Sequence, residues 1–236
     1  MKKAISILFI LSLVFGAAAC GQNQPQSSTD NNVDTSEPTT EDSEALIEEP
    51  AEADENTNVL VAYFSMPETT DPNNMTEDED NSVVVIDGKV LGNTEYVATL
   101  IQEHTGGQMY RLEPETPYPT DHDTLVDLVS EEQSNNARPN LLSEVENIEQ
   151  YDIIYLGYPN WWGDMPMILY SFLEQYNLSD KTIIPFNTHG GSGFSDSINT
   201  IATLQPEAEI DQDGYTVSRN NVQDCEDEVI AWLQTK

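Results

Sequence analysis

The chain has 236 residues, room for one α/β domain with accessories and crowded for two large ones. It carries 43 acidic residues against 8 basic ones, a formal net charge of −35 at pH 7. Such a balance excludes nucleic acid and anionic lipid as electrostatic partners.

The first twenty residues read as an export signal. Met1-Lys2-Lys3 precede a mostly apolar run from Ala4 to Ala19, too short for an ordinary membrane span. Ala17-Ala18-Ala19 directly before Cys20 resembles a bacterial lipobox, with Ala17 where that signal usually has leucine. The resemblance implies a signal peptide over 1–19, a lipid on the Cys20 sulfur, and anchoring on the outer face of the cytoplasmic membrane. Cys225 is then left without a partner, so no disulfide framework is expected, and it reads as a half-buried structural thiol. Residues 21–57 hold eleven acidic residues and no basic or aromatic one. Too little apolar surface is available there to offset ordering, so 20–57 reads as a lipidated cysteine followed by a disordered acidic tether. The remainder, 58–236, has 32 acidic and 6 basic residues. That charge reads as solubility in a salty or alkaline exterior before it reads as a docking face for a basic partner.

Asn58 to Ser65 is a short apolar run with the character of a buried parallel strand. An insertion of about 66–91 follows, comprising a mobile acidic stretch, DPNNMTEDEDN, and a hairpin from Ser82 to Val90 turning at Asp87-Gly88. The spacing predicts a helix over 94–104 ended by Gly106-Gly107, a strand over 108–112, and a helix from Thr120 with an apolar stripe of Leu125, Leu128 and Val129. Strands follow over 151–158, 181–188 and 215–218, with helices over 166–176, 195–204 and 221–233 between and after them. Strands alternating with helices predict an α/β fold, a doubly wound parallel sheet of five strands with helices on both faces. Ligands bind such sheets beyond the carboxyl ends of the strands, at the point where strand order reverses.

Three loops there carry unusual sequence. After the first strand come Ser65 and, beyond the insertion, Gly92-Asn93-Thr94, hydroxyls and a glycine opening a helix, a set suited to holding a phosphate without a basic side chain. After the third strand comes Pro159-Asn160-Trp161-Trp162-Gly163, whose adjacent tryptophans suit a planar, electron-rich ligand. After the fourth comes Thr188-His189-Gly190-Gly191-Ser192-Gly193, whose glycines permit close approach to a flat ring. No nucleophile motif appears, the first strand lacks the acidic pair of a response regulator, and the three histidines have no ligand-like spacing, so neither a catalytic side chain nor a metal is assigned.

With the first loop split by its insertion, and with YPNWWGDMP and PFNTHGGSG, residues 58–236 resemble the flavodoxin family, in the branch carrying those two long motifs. Asn187 stands where that branch has cysteine, which removes thiol chemistry from the site. The resemblance implies strand order 2-1-3-4-5 and FMN as cofactor, its phosphate on Ser65, Asn93 and Thr94. The ring is then expected between the 160–163 and 188–194 loops, with Gly163 letting a peptide bond pivot on reduction. The function expected is electron transfer or flavin-dependent reduction outside the membrane, with a quinol or a membrane oxidoreductase as redox partner and surrounding acidity lowering the second reduction potential. Two alternatives stand beside it: an NAD(P)H-dependent quinone reductase and a flavin-free interaction lipoprotein.

Overall fold

Val59–Tyr63 (β1) is apolar on both sides because both sides are covered: Leu60 and Ala62 enter one core, Val61 and Tyr63 the other. The structure, a computed structural model, describes residues 58–236. The signal, Cys20 and the tether lie outside the described residues.

Glu77–Ser82 (α1) follows within the insertion, then the antiparallel pair Val83–Ile86 (β2) and Lys89–Gly92 (β3). The expected mobile stretch therefore carries a helix. Its cause is local: Thr76 Oγ1 accepts from the Glu79 N–H at 3.2 Å, and the Glu79 carboxylate accepts from the Thr76 N–H at 2.7 Å, a complete capping box. The hairpin turns as expected at Asp87 and Gly88, both at positive φ.

Asn93–Thr105 (α2) ends on left-handed Gly106, and Gln108–Arg111 (β4) follows. Next come His122–Ser134 (α3), Ile153–Pro159 (β5), Met167–Gln175 (α4), Thr182–His189 (β6) and Ser197–Leu204 (α5). Glu209–Ile210 (β7), Tyr215–Ser218 (β8) and Glu226–Leu233 (α6) complete the chain. The strand order is β4-β1-β5-β6, and β6 then pairs in parallel with β7 along its first half and with β8 along its second. The fifth position of the expected sheet is thus shared by two short strands, and β7 has no counterpart in the sequence reading.

The closing helix is also shorter than expected. A 3₁₀ turn at Val222–Asp224 precedes α6, with Cys225 between them. Cys225 is fully buried rather than half-buried, because it packs with Val222, Val229 and Tyr215 beneath the sheet. Burial pushes its thiol up to about 11. The sheet is sandwiched between one core that takes residues from α3, α4 and α5 and another that takes residues from α2, α6 and the hairpin. Strand order reverses between β1 and β5, so their carboxyl ends mark the crevice.

Candidate functional site

A cleft of about 870 Å³, part of it open to solvent, lies at that crevice. Its floor begins where β1 runs out. Ser65, buried, receives the Glu95 N–H on its Oγ at 3.3 Å, so a residue 30 positions away caps the start of α2. Gly92 is needed at this junction, since a Cβ there would fall 2.1 Å from Ser65 Oγ. The first-turn N–H groups of Asn93 and Thr94 have no intrahelical partner. Thr94 Oγ1 lies 2.9 Å from Thr188 Oγ1, which joins this helix end to the tip of β6. Asn93 is 5% exposed; its Nδ2 donates to the Asn81 carbonyl at 2.9 Å, and its Oδ1 has no partner.

The wall after β5 is a tight turn. Trp161 and Asp164 exchange both backbone hydrogen bonds, 2.8 and 3.0 Å, while Trp162 and Gly163 take φ of 53° and 80°. Two successive left-handed residues make a type I′ geometry, which glycine accepts freely and tryptophan adopts at a cost in strain. The tryptophans separate. Trp161 packs edge-on against Phe64 at 5.4 Å and Tyr118 at 6.0 Å between ring centroids, whereas Trp162 is 63% exposed at the cleft mouth. The reason is the turn itself, which sends consecutive side chains to opposite sides.

Asn160 ties this wall to the next. Its Nδ2 donates to the Gly193 carbonyl at 2.8 Å and to Ser195 Oγ at 3.1 Å, and its Oδ1 accepts from the Gly163 N–H at 3.1 Å. Asn187 Nδ2 donates to the same Gly193 carbonyl at 2.9 Å. At the end of β6, His189 Nδ1 accepts from the Gly191 N–H at 2.8 Å, and burial holds its imidazole below the usual range.

Of the residues singled out by sequence, the structure brings Ser65, Asn93, Thr94, Pro159, Asn160, Trp161, Trp162, Thr188, His189 and Gly190 to one cleft. Gly92, Gly163, Gly191, Ser192 and Gly193 do not line it. Gly92 sits behind Ser65, Gly163 completes the turn, and the Gly193 carbonyl is held by two asparagines. Sequence reasoning missed Met66, Glu68, Asp78, Asn81 and Ser82 from the insertion, His122 and Val126 on α3, and Arg219 after β8. Leu125 and Val129 belonged to a stripe read only as core and form the apolar side of the cleft. The insertion residues carried no local signal: Asp78, Asn81 and Ser82 reach the cleft because the hairpin folds the start of α2 back beside them, where Asn93 Nδ2 donates to the Asn81 carbonyl.

Similarity to known proteins agrees with this geometry. A family model described as flavodoxin matches residues 82–236. The crystal structure of a protein assigned as a flavoprotein from Bacteroides eggerthii is 28% identical over 76% of this chain and 98% of that one, with a TM-score of 0.57. A counterpart from Bacteroides uniformis is 27% identical over 75% and 97%, with a TM-score of 0.55. A flavoprotein from Lactobacillus acidophilus, crystallised in complex with FMN, is 16% identical over 75% and 99%, with a TM-score of 0.52, a likeness of fold. No curated protein matches the chain. With more than half of its length matched and its sheet wound in this order, the chain belongs to the flavodoxin family.

Proposed function

We propose that this protein binds FMN in the cleft and passes electrons through it, working outside the cytoplasmic membrane on a tether lipidated at Cys20. The observation that carries the reading is the helix end: buried Ser65, Asn93 and Thr94 open onto a cleft whose mouth holds an exposed tryptophan. The residues present suit the group. Free first-turn N–H groups and the Ser65 hydroxyl suit a phosphate. The unpartnered Asn93 Oδ1, buried and fixed in orientation by the bond to Asn81, suits a hydroxyl donor on the chain next to that phosphate. Leu125, Val126, Val129 and the two tryptophans suit a flat aromatic ring.

When bound, FMN supplies the redox chemistry. The chain's own part is to hold it: Asn160 and Asn187 fix the glycine loop through one carbonyl, and Trp162 offers an exposed face for stacking. No side chain is assigned as acid or base. A donor at the membrane, a quinol or a membrane oxidoreductase, suits the proposed location, and the acidic surroundings oppose a second negative charge on the ring.

The test is to mix the purified protein with FMN, remove free ligand by desalting and record the visible spectrum. About one flavin per chain supports the reading. A colourless protein that leaves FMN fluorescence unquenched in titration overturns it.

A further inference from the structure

Glu68, Asp78 and His122 come from three separate segments and line the cleft together with Ser65, Asn93 and Thr94. The Glu68 N–H donates to Ser82 Oγ at 2.9 Å, and its side chain is 8% exposed. Asp78, in the first turn of α1, is 57% exposed. The imidazole of His122, opening α3, stands between them: Nδ1 lies 2.9 Å from Glu68 Oε2, and Nε2 lies 3.9 Å from Asp78 Oδ1. Opposite ring nitrogens face the two carboxylates, so the three groups cannot converge on one cation. The arrangement is suited to holding protons, one on each nitrogen when the ring is charged. Burial raises the Glu68 carboxyl above its usual range; the His122 bond opposes this, and Asp78 and Glu79 add to it.

This cluster bears on any anion seated at the start of α2. The helix end offers about half a positive charge. With His122 neutral and both carboxylates ionised, the cluster offers two negative charges in the same cleft. The other charged or titratable groups nearby are Glu79 on α1 and Asp121 and Asp123 beside His122, with His189 and Arg219 also lining the cleft. Arg111 is another: its Nη2 donates to the Ser65 carbonyl at 3.1 Å, and its Nη1 lies 3.7 Å from Glu95 Oε2. Protonating His122 removes half of the cluster's negative charge, and protonating Glu68 removes the rest. A neutral ligand would not register either event.

We propose that the Glu68–His122–Asp78 cluster couples proton uptake to the binding of a phosphate-bearing flavin, so that the cleft discriminates against the phosphorylated form as pH rises. This rests on the cleft being a flavin site and names what selects the ligand's charge.

The experiment measures dissociation constants of FMN and of riboflavin, by fluorescence quenching on the purified full chain, at about pH 5.5 and about pH 8. FMN is expected to bind about tenfold more tightly at the lower pH, one titrating charge's worth, while riboflavin changes by less than about twofold. In Glu68→Gln, FMN binds more tightly than to the parent at about pH 8, the pH dependence carried by His122 is kept, and riboflavin is unchanged. In His122→Gln, with its circular dichroism unaltered, FMN binds at about pH 5.5 as weakly as the parent does at about pH 8. An FMN-to-riboflavin ratio independent of pH overturns the proposal. So does a full pH dependence in His122→Gln, which assigns the effect to the phosphate's own ionisation near pH 6. Binding of neither flavin at any pH overturns the FMN reading itself, an outcome distinct from binding of both with a flat ratio.

Discussion

At the scale of single residues, the cleft turns on Gly92 and the tryptophans. A side chain at Gly92 would push on Ser65 Oγ, whose bond to the Glu95 N–H holds the β1 end against α2. Gly92→Ala should therefore cost about 1–3 kcal/mol of stability, the range for forced overpacking, and weaken FMN by displacing Ser65. Thermal unfolding and flavin titration read the two effects. The tryptophans should separate in the same pair of measurements. Trp162→Ala removes an exposed side chain and should leave stability within about 0.5 kcal/mol while costing roughly 1–3 kcal/mol of flavin affinity. Trp161→Ala opens a void against Phe64 and Tyr118 and should cost about 3 kcal/mol of stability. Equal stability losses would mean that Trp162 is also held by the core.

At the scale of elements, the insertion is the part least like a simple βαβ unit. Its helix α1 buries no residue; the Thr76–Glu79 capping box holds its first turn, while bonds from Asn93 Nδ2 to the Asn81 carbonyl and from the Glu68 N–H to Ser82 Oγ hold its last. Thr76→Ala should cost about 1 kcal/mol locally and speed hydrogen exchange at the Glu79 amide, with little change in the global unfolding midpoint. A midpoint shift as large as the local loss would show that α1 is welded to the domain. The hairpin that follows behaves differently, because Val84 and Leu91 enter the core shared with α2. This division gives the cleft a firm inner edge and an outer edge, carrying Asp78, secured by few contacts.

At the scale of the whole molecule, burial of acidic protons governs the alkaline limit. Folding raises the Cys225 thiol from 9.0 to about 11, and the Tyr63 and Tyr155 phenols from 10.0 to about 12, with burial the leading cause in each. The unfolded chain then loses these protons first and binds fewer of them than the folded one, so stability falls as pH rises. The stabilisation is complete below about pH 9 and is lost progressively from there through about pH 12. Unfolding free energy measured by denaturant between about pH 8 and about pH 11 should decline, and Cys225→Ala should flatten the first part of the decline. A Cys225 variant with the parent's slope would assign the decline to the tyrosines.

The sequence by itself determined the alternation of buried strands and helices, the parallel sheet, the hairpin turn and the two strand-end loops richest in tryptophan and glycine. Each of these is written in a short window: apolar runs such as Ile153–Pro159, a period of 3.6 in α2, Asp87-Gly88 at a turn. Order in α1 was also local, but its capping box stood in an acidic stretch with no apolar face to flag it. Tertiary structure alone decided which glycines touch the cleft, which tryptophan enters the core, and that β7 and β8 share one sheet edge. It alone decided the meeting of Glu68 with His122, 54 residues apart. Such contacts leave no mark in sequence because nothing local selects them. They exist where folding closes a long loop, and their chemistry follows from the neighbours that closure supplies.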